Sequence, residues 1–109
     1  MLTPLFGTEN SERALIFLLA RNEGYAREIA QFFGANLYAI QRQLDKFEAR
    51  GVLVSRTAGR TRLYGFNPRY PFLNELKQLL EKALSFYPDD VRESLVMNRR
   101  SPRKRGKPL

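Results

Sequence analysis

Histidine and cysteine are both absent from this chain of 109 residues. Without them there are no imidazole or thiolate ligands for zinc or copper, and no Ser/His or Cys/His nucleophile pair. No disulfide can form, which fits a reducing cytoplasm. Long apolar runs are lacking as well: the longest, Ala14 to Ala20, is too short to span a bilayer. The first ten residues have no basic start and no small-residue cleavage site follows the apolar run, so a secretory signal is not expected. No glycine-rich loop leads into a helix, because GRTRLYG lies between two expected strands. Asp89 and Asp90 are adjacent carboxylates behind Pro88 and read as a helix start rather than a cation site. The expectation is a protein that is not an enzyme and holds no metal or other cofactor.

What is present points to a folded, basic, single domain. The hydrophobic fraction is 43% and the aromatic fraction 12%, enough for one modest core. A net charge of +8 and a pI of about 10.3 point to a polyanionic partner, with nucleic acid ahead of an acidic membrane. The charge is uneven. Arg99, Arg100, Arg103, Lys104, Arg105 and Lys107 supply six of the 19 Lys and Arg residues, leaving 13 against 11 acids elsewhere. This block is broken by Ser101, Pro102, Gly106 and Pro108 and has almost nothing to bury, so it reads as a flexible arm. Such an arm suits DNA, a membrane surface, a nuclear signal in a eukaryotic source, or simple solvation. Membrane binding needs bulky apolar residues beside the charge and none are there, which favours DNA.

Periodicity divides the rest. NSERALIFLLARNEG opens with Asn10 or Ser11 as cap and sets Ala14, Leu15, Leu18 and Leu19 on one helical face, with Ile16 and Phe17 making a second apolar face. Gly24 closes that unit, and Tyr25 offers one short extended contact. Ala26 to Phe33 form a short helix stopped at Gly34, and Asn36 caps a third helix from Leu37 to Arg50 that rests on Ile40, Leu44 and Phe47. From Val52 the period becomes two. Val52 and Val54, then Arg62, Tyr64 and Phe66, mark two strands around a turn of Ala58 to Thr61, in which Gly59 supplies positive φ. After two prolines, Leu73, Leu76, Leu80, Ala83 and Tyr87 mark a fourth helix, and Pro88 breaks it. The domain is read as 1–87, with 88–109 a short helical turn and the basic tail.

A short helix, a glycine turn and a second helix make a helix-turn-helix, whose second helix enters the DNA major groove. Its solvent face here carries Tyr38, Gln41, Arg42 and Gln43, which are rich in hydrogen-bonding groups. The segment REIAQFFGANLYAIQRQLDKFEARGVLVSRTAGRTRLYGFNP, Arg27 to Pro68, resembles bacterial and archaeal winged helix-turn-helix transcriptional regulators, broadly the ArsR-like group. The likeness lies in the spacing of Ala30 and Gly34, of Ile40, Leu44 and Phe47, and of Gly59 and Tyr64. The front, LFGTENSERALIFLLARNEG, is similar to the first helix of winged-helix modules found beside nucleotidyltransferases. The lack of His and Cys departs from the metal-sensing members of the ArsR-like group.

The resemblance implies an α+β, mainly α fold: a three-helix core, a two-stranded wing and a C-terminal helix. It implies a sequence-specific regulator that binds double-stranded DNA in the cytoplasm, at the prokaryotic nucleoid. Leu37, Tyr38, Gln41, Arg42 and Gln43 then face the groove, Arg56, Arg60 and Arg62 form the wing contact, and the tail adds cations. Structural roles stand beside these: Tyr38 as a helix-packing aromatic, Gln43 as an ordinary surface residue, Arg42 as an ion-pair partner of Asp45 or Glu48, and the wing arginines as solvated charge. For Leu73, Leu76, Leu80 and Tyr87, periodicity allows either a homodimer seam or the core; the family habit of dimerising through terminal helices favours the seam. The alternative to DNA binding is a protein-interaction module or a nucleotidyltransferase-associated accessory module. The identity of any effector is not legible.

Overall fold

Capping residues set the helix boundaries. The computed structural model describes residues 1–100. Thr8 caps the long first-half helix by accepting from the Ser11 backbone N–H at 3.1 Å, two residues earlier than Asn10. That helix, α2 (Glu9–Arg21), follows a single turn, α1 (Thr3–Phe6), which the sequence pattern did not indicate. It ends at Asn22, which takes φ 73, and Gly24 instead lies within strand β1 (Glu23–Tyr25). Asparagine is among the few side chains that tolerate positive φ. Helix α3 (Ala26–Phe33) starts with the Tyr25 N–H donating to Glu28 Oε1 at 3.3 Å. Gly34 then adopts φ 64 in the left-handed region, where a residue with a Cβ is strained. Helix α4 (Leu37–Ala49) is capped by Asn36, whose Oδ1 accepts from the Ala39 N–H at 3.0 Å.

Strands β2 (Leu53–Ala58) and β3 (Thr61–Phe66) are longer than the pattern suggested, because Ala58 and Thr61 pair with each other and leave a tip of Gly59 and Arg60. Thr61 Oγ1 closes the tip on the Ala58 carbonyl at 3.0 Å. The sheet is antiparallel in the order β1-β3-β2, with Gly24 opposite Tyr64 and Ser55 on the other side of it. Helices α5 (Leu73–Ser85) and α6 (Asp89–Arg100) complete the chain. A helix-turn-helix, a β-hairpin wing and flanking helices make this a mainly helical winged-helix fold. No helix among the described residues is long and apolar enough to cross a membrane.

Helix α2 is the centre. Every residue from Ala14 to Ala20 is buried, which is why its sequence is apolar all round. The other helices and the sheet surround it, bringing Ile29, Ile40, Leu44, Leu53, Leu80 and Leu95 into one cluster with Phe17. The expected short turn after Pro88 is a full helix, because Leu95 is completely buried. Burial of such a side chain contributes roughly 1.5–3 kcal/mol, enough to hold α6 on the core. Arg99 and Arg100, expected to begin a flexible arm, fall in the last turn of α6. Arg103, Lys104, Arg105 and Lys107 lie outside the described residues.

Two polar side chains tie the surrounding elements to α2. The Arg21 guanidinium lies 4.5 Å from the Phe17 ring centre and 5.2 Å from that of Phe32, stands 3.7 Å from Glu28, and donates to the carbonyls of Ser94 and Leu95 at 3.4 Å each. It thereby joins α2, α3 and α6. Glu12 is almost fully buried and accepts from the Leu2 N–H at 2.6 Å and the Tyr87 hydroxyl at 2.7 Å, with the Met1 amino group at 3.2 Å. Burial alone would raise its pKa. The hydrogen bonds from Tyr87, Leu2 and the amino group outweigh that and hold the carboxyl below its ordinary range. Tyr87 moves the other way: burial, then its bond to Glu12, pushes the phenol well above its ordinary range, so it stays a donor.

Candidate nucleic-acid interface

At 100° per residue, positions 38, 41, 42 and 45 of α4 share one face, and Gln43 falls on the opposite one. The structure follows this geometry. Tyr38 is 79% exposed, Leu37 is exposed at the helix start, and Arg42 is exposed with no ion-pair partner among the described residues. Gln43 points inward, where its Oε1 accepts from the Ser11 hydroxyl at 2.6 Å. It pins α4 to α2 and is not on the outward face where the sequence reading put it.

The alternative pairing of Arg42 with Asp45 or Glu48 is absent, and both carboxylates have other partners, Glu48 accepting from Ser55. Gln41 Nε2 donates to Asp45 Oδ1 at 3.0 Å and to the Tyr64 hydroxyl at 2.9 Å, and that hydroxyl donates to the same Asp45 oxygen at 3.0 Å. Tyr64 stands on β3 and is 1% exposed, so this ring of three bonds joins the wing to α4. Burial, and beyond it the neighbouring Asp45 carboxylate, raise the Tyr64 pKa, although the bond from Gln41 acts in the opposite direction.

The wing arginines divide by the two-residue pleat of a strand. Arg60 at the tip and Arg62 on β3 line a groove of about 410 Å³ between the wing and α4, together with Leu37, Gln41, Asp45 and Tyr64. Arg62 is steadied by Ser55, with Nε to Oγ at 3.1 Å, and Ser55 in turn donates to Glu48 at 2.6 Å. Arg56 is one residue out of phase. It stands 3.8 Å from Glu23 of β1, away from the groove.

Arg27 also lines the groove and is exposed, with no ion-pair partner among the described residues. Sequence reasoning passed over it. One signal was there: a cation in the first turn of a helix opposes the macrodipole, so Arg27 at the start of α3 is not explained by helix stability. The groove thus gathers three guanidinium groups and one carboxylate, with amide and phenol groups between them. Guanidinium forks suit phosphate oxygens and guanine edges.

Of the residues expected at a dimer seam, Leu80 is fully buried in the core of its own chain and Tyr87 is held by Glu12. Leu73 and Leu76 are half-buried, and Leu76 rests on the core cluster. The large apolar side chains that α5 and its caps expose are instead Phe72 (62%), Leu79 (37%) and Phe86 (65%).

No protein-family pattern and no curated protein matches the chain. Solved structures do match. A mutant of ZitR from Lactococcus lactis, in apo form, has 21% identity and a TM-score of 0.54, over 83% of this chain and 76% of that one. Another ZitR mutant has 20% identity and a TM-score of 0.53, over 81% and 68%. The adhesin competence repressor AdcR of Streptococcus pyogenes has 12% identity and a TM-score of 0.50, over 84% and 75%. Identities this low speak for the fold alone.

Proposed function

We propose that this chain is a transcriptional regulator that binds double-stranded DNA, with α4 in the major groove and the wing on the backbone. The observation that carries the reading is the groove between α4 and the wing, lined by Arg27, Arg60 and Arg62. Tyr38 and Arg42 are exposed on the outward face of α4, for base edges or thymine methyl groups. The net charge of +8 supports it, and so does the likeness in fold to a protein named as a repressor. The basic residues from Arg99 to Lys107 add a sequence-independent attraction. The narrower likeness to the ArsR-like group rests on the segment Arg27 to Pro68.

The test is selection from a random duplex pool at physiological salt. The expected result is enrichment of one motif, with affinity for it that falls steeply as salt rises. Retention of all duplexes alike would mean that charge alone binds DNA. No retention would leave the winged helix as a protein-interaction module.

A homodimer is the proposed assembly, with its seam on the exposed stripe of α5. Phe72, Leu79 and Phe86 are spaced by seven residues and so lie nearly in line. If a second copy lies antiparallel across Leu79, Phe72 meets the other copy's Phe86, and Glu75 comes beside the other copy's Lys82. The stripe is therefore self-complementary in shape and charge, as a two-fold contact requires. Leu79→Asp should give a folded monomer, seen by sedimentation and circular dichroism. Glu75→Lys and Lys82→Glu should each weaken the dimer, and the two together should restore it. A Leu79→Asp protein that still dimerises would move the seam elsewhere.

A further inference from the structure

We infer that Tyr64 and Asp45 hold Gln41 as a hydrogen-bond acceptor toward the groove, so that the base it faces is read by its amino group, as adenine or cytosine. The inference rests on the DNA-binding reading and deepens it. A carboxylate only accepts, so the Gln41 atom 3.0 Å from Asp45 Oδ1 is the amide nitrogen. That nitrogen carries two hydrogens, and with the Tyr64 hydroxyl at 2.9 Å as its second acceptor we assign one hydrogen to each, both bent inward from the roughly 120° spread of the amide. The hydroxyl hydrogen goes to Asp45 at 3.0 Å, which leaves its oxygen as the acceptor for Gln41. With that assignment every hydrogen in the ring has a partner, and the Gln41 carbonyl oxygen is the group left over.

An unconstrained glutamine pairs with adenine through two bonds, accepting from N6–H and donating to N7. Here the donor is occupied. An acceptor alone finds a partner in the major groove only at the amino groups of adenine (N6) and cytosine (N4), because guanine and thymine present acceptors there. Tyr64 and Asp45 are thus positioning residues acting through Gln41. The buried tyrosine ring anchors the arrangement from the wing, so the wing decides how the helix reads.

Base preference tests this. Affinities are measured for the wild type and for Gln41→Ala, Tyr64→Phe and Asp45→Ala on the selected duplex, with each of the four bases at the position whose preference Gln41→Ala alters. The wild type should take adenine and cytosine within about threefold of each other, and guanine or thymine about tenfold more weakly. Tyr64→Phe and Asp45→Ala should each free one amide hydrogen for N7, so that adenine gains over cytosine by about tenfold. Asp45 is exposed, so its variant folds even if loss of the hydroxyl disturbs the core around Tyr64. A stability role alone would weaken all four bases together. The inference is overturned if both variants keep the wild-type pattern, if the wild type already prefers adenine tenfold over cytosine, or if Gln41→Ala alters no position. A wild type that selects no sequence removes the DNA-binding reading itself.

Discussion

Replacing Arg27, Arg60 and Arg62 together with alanine should lower affinity for duplex DNA by on the order of a hundredfold to a thousandfold at physiological salt. A phosphate contact that stays open to water nets about 1–1.5 kcal/mol, so the three together come to about 3–4.5 kcal/mol, and each 1.4 kcal/mol is a factor of ten. The slope of log affinity against log salt should fall by about 2.7, which is about 0.9 for each of the three lost contacts. Arg56→Ala is the matched control. It removes the same charge from the same hairpin, but its guanidinium stands by Glu23 and away from the groove, so affinity should change far less. Fluorescence anisotropy over a salt series makes the comparison. Equal losses for Arg56→Ala and for any one groove arginine would show that total charge, and not the groove, binds the duplex.

Glu12→Ala should lower folding stability by about 3 kcal/mol at neutral pH, because it removes a buried carboxylate and leaves its hydrogen-bond donors unpaired. The substitution strands the Leu2 N–H and the Tyr87 hydroxyl, both at 2.6–2.7 Å from the carboxylate, and leaves the Met1 amino group without its partner. The pH dependence has a definite sign. The folded-state pKa is held below the unfolded value, so the stabilisation is complete above the ordinary carboxylate range and is lost as pH falls through the folded value. Urea titrations should therefore show the gap between wild type and Glu12→Ala narrowing on acidification. A gap below 1 kcal/mol, or one that does not change with pH, would mean that the carboxylate does not anchor the N-terminal turn to Tyr87.

The helix-turn-helix was legible because each of its signals is local. Gly34 reports a left-handed turn, Asn36 a cap, and Ile40 and Leu44 a buried stripe, and each depends on neighbours within a few residues. The limits of the wing were less so. Whether Ala58 and Thr61 belong to the turn or to the ladder is decided by pairing across the hairpin, which composition does not encode. Helix α6 was under-read for a related reason. Its sequence is strongly polar, and its place depends on distant residues: Leu95 and Val91 reach the core cluster, and Arg21 donates to the Ser94 and Leu95 carbonyls.

The site divides along the same line. Sequence alone determined that the chain is basic and has no thiol or imidazole chemistry, and it read Leu37 to Arg50 as an amphipathic helix with Tyr38, Gln41 and Arg42 on its polar side. Those properties follow from composition and from a fixed 3.6-residue turn. Tertiary structure decided which polar groups are free. It turned Gln43 inward to Ser11, drew Asp45 and Tyr64 around the amide of Gln41, brought Arg27 beside Arg60 and Arg62, and placed Arg56 on the far side of the hairpin. It also buried Leu80 and left Phe72, Leu79 and Phe86 exposed. The physical reason is that helical and strand periods fix directions relative to one element's own axis. Which direction meets a partner is set by elements 20 to 70 residues away, whose packing on α2 no local pattern records.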